Sequence, residues 1–254
     1  MVWVRLRSPF MSEPELPEGV VVVRIDQGHV RNAVNSETAE RLFQAFTAFD
    51  ADPAARVAVL TGDAAAFCAG ANLRDLPKLR DSGPLGPTRL TLSKPVVAAI
   101  EGWCVAGGVE LAAWCDLRVA GRSARIGCLE RRWGVPLIDG GTYRLPQIVG
   151  LGRALDLILT GREIGSDEAE RMGFLTRVVD DGQALTAAVE MAGEIASFPW
   201  LGVVNDRRSV YAGLGLGVDE ALAIEDELGR QTIFADGFRE GVGRFDDHQA
   251  TRVR

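Results

Sequence analysis

A chain of 254 residues, 47% hydrophobic and 25% charged, has enough apolar material for one large soluble domain or a domain with a small appendage. Its net charge of −7 speaks against a general binder of nucleic acid or anionic membranes, and no apolar run approaches the roughly 20 residues that span a bilayer. The four cysteines, Cys68, Cys104, Cys115 and Cys128, form no C-x-x-C pair, and the histidines are His29 and His248, so buried free thiols are expected and no metal site.

The opening M-V-W-V-R-L-R-S-P-F lacks the apolar core of a secretory signal, and Met11 precedes a polar S-E-P-E-L-P-E stretch. Residues 1–10 are expected to be disordered or to follow an upstream start, within a flexible extension over 1–18. The β-branched run at 19–26 reads as a strand. Ser36 reads as the N-cap of a helix whose apolar face carries Ala39, Leu42, Phe43, Phe46 and Phe49, broken at Asp52 and Pro53. Residues 57–60 form a second strand. Residues 65–73 read as a tight loop leading toward a helix, and 77–87, rich in Pro, Gly and charge, as a mobile surface segment. A strand at 95–100, a helix at 108–114 and a strand at 117–120 follow. Further on come a helix at 154–159, a short helix capped by Ser166 and running through Met172, a strand at 175–179 and an amphipathic helix at 183–197. Beyond Phe198 and Pro199 the pattern turns all-helical over 203–245, punctuated by L-G-L-G at 214–217 and D-G at 236–237. The reading is an α/β core over 19–197 with a helical region over 198–254.

The chemistry concentrates between Val96 and Glu130. A β-branched run enters Gly102, a small-residue loop ends in Gly107 and Gly108, and a helix opens with Glu110 in its first turn. Free N–H groups at a helix start, with glycines that admit close approach, can build an oxyanion hole from main chain alone. Glu130 adds a second carboxylate in the loop I-G-C-L-E-R-R-W-G. Taken singly, the glycines also read as tight packing, Glu110 as a dipole-favoured carboxylate, and Glu130 as a surface partner of Arg131 or Arg132.

The segments R-N-A-V-N (31–35), A-F-C-A-G-A-N-L (66–73), K-P-V-V-A-A-I-E-G-W-C-V-A-G-G-V-E-L-A (94–112), C-D-L-R-V-A (115–120), G-L-G-R-A-L-D-L-I-L-T-G (150–161) and F-R-E-G-V (238–242) resemble, in order, the crotonase or enoyl-CoA hydratase/isomerase superfamily. The resemblance covers nearly all of residues 20–245. It implies a spiral of ββα turns with a C-terminal helical trimerisation region, a homotrimer or dimer of trimers, and an acyl-coenzyme A substrate. No cofactor is implied beyond the CoA carried by that substrate, and no nucleic-acid or membrane partner. The expected location is the cytoplasm.

By motif, the resemblance assigns the oxyanion donors to the N–H groups of Ala71, just after Gly70, and of Gly107. It places Glu110 and Glu130 at the acid/base positions of hydratases that add water to a 2-enoyl thioester. His29, Val30, Arg31 and Ala33 match the CoA-lining stretch, with Gln27 and Gly28 where the family commonly has R-P. Ala69, Ala71 and Leu73 match the adenine- and thioester-facing wall, and Gly70, Asn72, Gly108 and Leu129 are counted with the substrate-binding residues. Arg31, Arg74 or Lys78 could meet a phosphate, although each also reads as a solvated cation, the preferred reading for Lys78. Trp103, Trp114 and Trp133 read equally as core or as acyl-pocket lining. Phe245 is expected near a neighbour's CoA site, with His248 in place of the family's lysine.

The departures are Asn72 for an aspartate, Ile138 for a glycine that helps hold the catalytic water, and Asp139 beside it. Asp139 reads as a catalytic group, a salt-bridge partner or, the preferred reading, a helix N-cap before G-G-T-Y. These departures keep open another acyl-CoA reaction, such as isomerisation, hydrolysis or decarboxylation, against hydration. A non-catalytic RNA-binding homologue is disfavoured by the net charge, and a serine hydrolase by the absence of a histidine near a G-x-S-x-G elbow.

Overall fold

The structure is a computed structural model and describes residues 14–252, with side chains to 245. The expectations for residues 1–10 and for His248 therefore lie outside what it describes. Two parallel-rich sheets and a set of helices carry the fold.

The first sheet runs in the order β1 (Val20–Arg24), β2 (Val57–Thr61), β4 (Val96–Ile100), β6 (Leu117–Gly121), β9 (Arg177–Val179), all parallel. Every residue of β2 and β4 is buried, which is why those strands read as unbroken apolar runs rather than alternating ones. Alternate side chains serve two faces. Val20, Val57, Val59, Val97, Ala99 and Val119 pack under α6 (Ala184–Ser197). Ala58, Leu60, Ala98 and Ile100 face the opposite core, which holds Leu42, Phe46 and Phe49 of α1 (Ser36–Ala51) and the whole of α2 (Gly107–Trp114).

The second sheet, β3 (Ala66–Cys68), β5 (Trp103–Val105), β7 (Arg125–Gly127), β8 (Ile164–Gly165), is built from strands of two or three residues. Such segments are too short to show a period, so sequence reading does not find them. Instead of a loop leading to a helix, residues 66–68 are a strand, and no helix or strand follows until β4.

Other expectations shift in detail. Asn35, not Ser36, caps α1: its side chain accepts from the Thr38 amide at 3.0 Å, while Ser36 Oγ accepts from the Lys78 amide at 2.9 Å. Phe43 is only half-buried on α1. Gly165 precedes α5 (Ser166–Arg171), and Ser166 Oγ instead donates to the Gly121 carbonyl at 2.7 Å, tying the helix to the end of β6. Sequence reading also misses α3 (Gly141–Val149), hidden by its Gly start and inner Pro146, while α4 (Leu151–Thr160) is longer than expected. Residues 83–88 are buried, so the expectation of a surface segment over 77–87 fails for its second half. The C-terminal region is α7 (Trp200–Gly213), α8 (Val218–Ile233) and α9 (Asp236–Arg252), with the D-G pair inside the first turn of α9 rather than before it. Arg207 and Tyr211 of α7 fasten this region to the core through Asp116 Oδ1, at 2.9 and 2.7 Å. All four cysteines are buried and unpaired.

Candidate active site

The parallel pair β3–β5 delivers two loops to one place. After β5, Ala106 adopts φ +52° and ψ −128°, a region an L-residue enters at a strain of about 1–3 kcal/mol, and the chain turns at once into α2. Gly108 presses on β3: a methyl group there would lie 2.1 Å from the Cys68 carbonyl oxygen. Gly70 has φ +88°, and a methyl on it would come within 2.7 Å of the Gly107 nitrogen. Ala71 pairs with Val34 as a parallel bridge: the Val34 amide donates to the Gly70 carbonyl and the Asn72 amide to the Val34 carbonyl, both at 2.8 Å.

Within that bridge the N–H of Ala71 itself is left over. Gly107, as the first residue of α2, has no helical acceptor for its own N–H. Among the described residues neither amide has a protein partner. They are close neighbours, since a methyl on Gly107 would lie 3.6 Å from the Ala71 nitrogen. Two preorganised donors beside the positive end of a buried helix suit a developing oxyanion.

Glu110, one turn along α2, is 3% exposed. Its Oε1 accepts from the amides of Asp139 and Gly141, each at 2.8 Å. Burial pushes its carboxyl up to about 7; the Asp139 and Glu130 charges act in the same direction, and the two N–H groups oppose it. Glu130 lies in the 3-10 turn Leu129–Trp133 and is equally buried. Neither of its carboxylate oxygens has a hydrogen-bond partner among the described residues, and burial raises its pKa as well. Two buried carboxyls, both raised above the usual carboxylate range, beside an oxyanion site suit proton transfer to and from a substrate.

Comparison with known proteins identifies the family. Residues 15–252 match the family model described as enoyl-CoA hydratase/isomerase. The chain belongs to the enoyl-CoA hydratase/isomerase family. Among its relatives is the enoyl-CoA hydratase EchA19 of Mycobacterium tuberculosis, 35% identical, with 91% of each chain covered. A crotonyl-CoA hydratase of Syntrophomonas wolfei is 33% identical, covering 91% of this chain and 93% of the relative. A probable enoyl-CoA hydratase/isomerase from Mycobacterium abscessus, solved by crystallography, superposes with a TM-score of 0.85 at 35% identity, over 92% of this chain and 94% of that one. The fold is the crotonase-type α/β fold of these relatives.

Against the preferred expectation, Asp139 does not cap α3. Gly140 takes the capping position with φ +99° and no side-chain bond. The Asp139 carboxylate turns back into the core, where Oδ1 accepts from the Leu85 amide at 3.0 Å and from the Thr88 hydroxyl. Among the described residues it makes no salt bridge either; Arg144 instead donates to the main-chain carbonyls of Asp139 (3.0 Å) and Thr88 (2.6 Å). Ile138 is 38% exposed, and its carbonyl accepts from Arg89 at 2.9 Å. Residues 83–88 are thereby drawn against the oxyanion hole, with Leu85 so near that a methyl on Gly107 would lie 2.5 Å from it.

The proposed CoA-facing residues fall into two groups. His29 and Arg31 are exposed and Val30 and Ala33 half-buried, on or just after the turn Gly28–Val30. The Ala69 amide donates to the Arg31 carbonyl at 3.1 Å, which joins this turn to the oxyanion loop. The Arg31 guanidinium sits 5.8 Å from the Trp103 ring, and Arg125 5.4 Å from it. Asn72 accepts from the Arg74 amide at 3.0 Å, a local turn contact. Leu73, Arg74 and Lys78 are exposed, as are Trp133 and Phe245, and Leu129 is half-buried. Trp114 belongs to the core, edge-on to Phe46 at 4.8 Å.

Sequence reasoning misses the residues that hold the site from behind. Asn32, fully buried at φ +57°, accepts from the Gln27 amide at 2.8 Å and donates to the Ala66 carbonyl at 2.7 Å, pinning the turn to β3. An asparagine in a glycine-containing turn is the available signal, since Asn tolerates the left-handed region. Leu85, Thr88 and Arg144 carry no such local signal.

Proposed function

We propose that this protein adds water across the 2,3 double bond of an enoyl-CoA thioester. The observation that carries the reading is the pair of unengaged amides, Ala71 and Gly107, beside the buried carboxyls of Glu110 and Glu130. In the proposed reaction the thioester oxygen accepts from both amides. One glutamate takes a proton from water as its oxygen bonds to C3, the C2–C3 double bond moves onto the thioester as an enolate, and the other glutamate returns a proton to C2. Each amide supplies about 3 kcal/mol of barrier lowering if it behaves like other oxyanion donors.

The names of the relatives, hydratases of enoyl-CoA and crotonyl-CoA, support the substrate class. The engagement of Asp139 by Leu85 and Thr88 removes the main reason for preferring isomerisation, hydrolysis or decarboxylation. His29, Val30, Arg31, Ala33, Ala69 and Leu73 are proposed to receive the CoA moiety. We place the oligomeric contact, a trimer or dimer of trimers, on the helical region 198–254, whose exposed Leu222, Ile233, Phe234 and Phe238 support it. Loss of the enoyl chromophore of crotonyl-CoA on incubation with the protein is the test. Absence of hydration across a panel of enoyl chain lengths, with another product seen by mass spectrometry, would overturn the reading.

A further inference from the structure

Three bonds converge on Asp139, and two of them reach parts of the chain more than fifty residues away. Its Oδ1 accepts from the Leu85 amide and the Thr88 hydroxyl, while its own N–H donates to Glu110 Oε1. Gly141, two residues on, gives Glu110 its second N–H. Arg144 crosses the same junction, bonding the carbonyls of both Asp139 and Thr88. Gly83 closes it from the other side: φ is +100°, and a methyl there would lie 2.0 Å from Thr88 Oγ1 and 2.9 Å from Asp139 Oδ1.

We propose that Asp139 is a positioning residue, a buckle that fastens residues 83–88 to the turn 138–141 and so fixes both Leu85 against the oxyanion hole and the N–H pair on Glu110. It exchanges no proton with substrate. The turn has no capping side chain of its own: Gly140 is left-handed and α3 begins without a side-chain cap. The segment 83–88 has no strand or helix of its own to hold it. Beside the Arg144 bonds, the tie between the two is a buried carboxylate accepting two hydrogen bonds, the stronger kind. A displacement of the turn by about 1 Å would misplace Glu110, and misplacement of that size lowers turnover by about 100-fold.

The proposal rests on the hydratase reading for its kinetic arm and is independent of it for its structural arm. Asp139→Asn keeps an acceptor at Oδ1, Asp139→Ala removes it, and Thr88→Val removes one donor while leaving the carboxylate in place. Crotonyl-CoA hydration and hydrogen exchange of the Leu85 amide are measured on all three. The expected order is a kcat fall of less than about fivefold for Asp139→Asn, about tenfold for Thr88→Val and about 100-fold for Asp139→Ala, with KM changed less than kcat. Leu85 exchange should quicken in the same order. An Asp139→Asn variant as impaired as Asp139→Ala, beside a Thr88→Val variant of normal rate, would make Asp139 an acid or base and overturn the proposal. Unchanged Leu85 exchange in all three would overturn it as well. If Asp139→Ala does not fold, Thr88→Val against Asp139→Asn still decides it. If the wild type hydrates nothing, the hydratase reading falls and the exchange order alone judges the buckle.

Discussion

All eight residues of α2 are buried, Glu110 among them, whereas α8 buries only Leu228 in sixteen. The first helix is bounded by its own chain on every side. Cys68 lies behind Gly108, Leu85 over Gly107, and Gly141 against Glu110. The second carries Leu222, Ile233 and Phe234 into solvent, at 54, 53 and 78% exposure. Around α2 the sequence is constrained by close contact and by buried charge, so single atoms matter there. Along α8 the monomer constrains little, and the apolar residues answer to whatever covers them.

The sharpest way to test the first half of this contrast is chemical. Glu110→Gln and Glu130→Gln should each reduce hydration of crotonyl-CoA by about 10²–10⁴-fold, the usual contribution of a general acid or base. Either variant working within threefold of wild type would strip that glutamate of its role. Next in size is one substitution made in both helices. Gly108→Ala drives a methyl into a main-chain carbonyl and should destabilise the fold by about 3 kcal/mol in urea unfolding. Gly229→Ala, inside α8 with nothing among the described residues within 4 Å of the new methyl, should stabilise by about 0.5–1 kcal/mol through helix propensity. Equal effects would erase the distinction between the two helices.

A third test uses pH. The Glu110 carboxyl is raised from 4.5 to about 7 on folding, so folding takes up a proton. That contribution to stability is complete below about pH 4.5 and is lost as pH rises through 7. A shift of this size corresponds to about 3 kcal/mol at most. Unfolding free energy should therefore decline between pH 5 and 8 in the wild type, and decline less in Glu110→Gln. Identical slopes would mean that burial of Glu110 is not felt by the fold.

What could be read beforehand follows the same division. The oxyanion loops and Glu110 are legible because their chemistry is carried by contiguous main chain: A-G-A at 69–71 and A-G-G-V-E at 106–110 put donor, turn and acid within a few residues. The long buried strands β2 and β4 are legible from their apolar runs. The second sheet is not, because β3, β5 and β7 have three residues each and pair only with distant partners. Residues 83–88 read as surface because Pro and Gly ordinarily mark it. Buried there, Thr88 bonds to Asp139, 51 residues further on, and no local pattern encodes that partner. Asn35 displaces Ser36 as the cap of α1 although both are good capping residues, since Ser36 is engaged by the Lys78 amide.

The smallest expected change in the monomer tests the second half of the contrast. Phe234 closes α8 at 78% exposure, with its amide bonded to the Arg230 carbonyl at 3.1 Å. Phe234→Asp should leave the intrinsic stability of the fold within about 0.5 kcal/mol, as surface replacements generally do. If a second copy covers this face, the same substitution buries a charge at the contact and should lower the sedimentation mass at micromolar concentration. Helical content would stay the same, because the acid removes no contact within the chain. A mass that does not change would leave the apolar face of α8 without a partner copy. A loss of helical content would show instead that α8 depends on Phe234 within its own chain, and the difference between the two helices would then be one of degree.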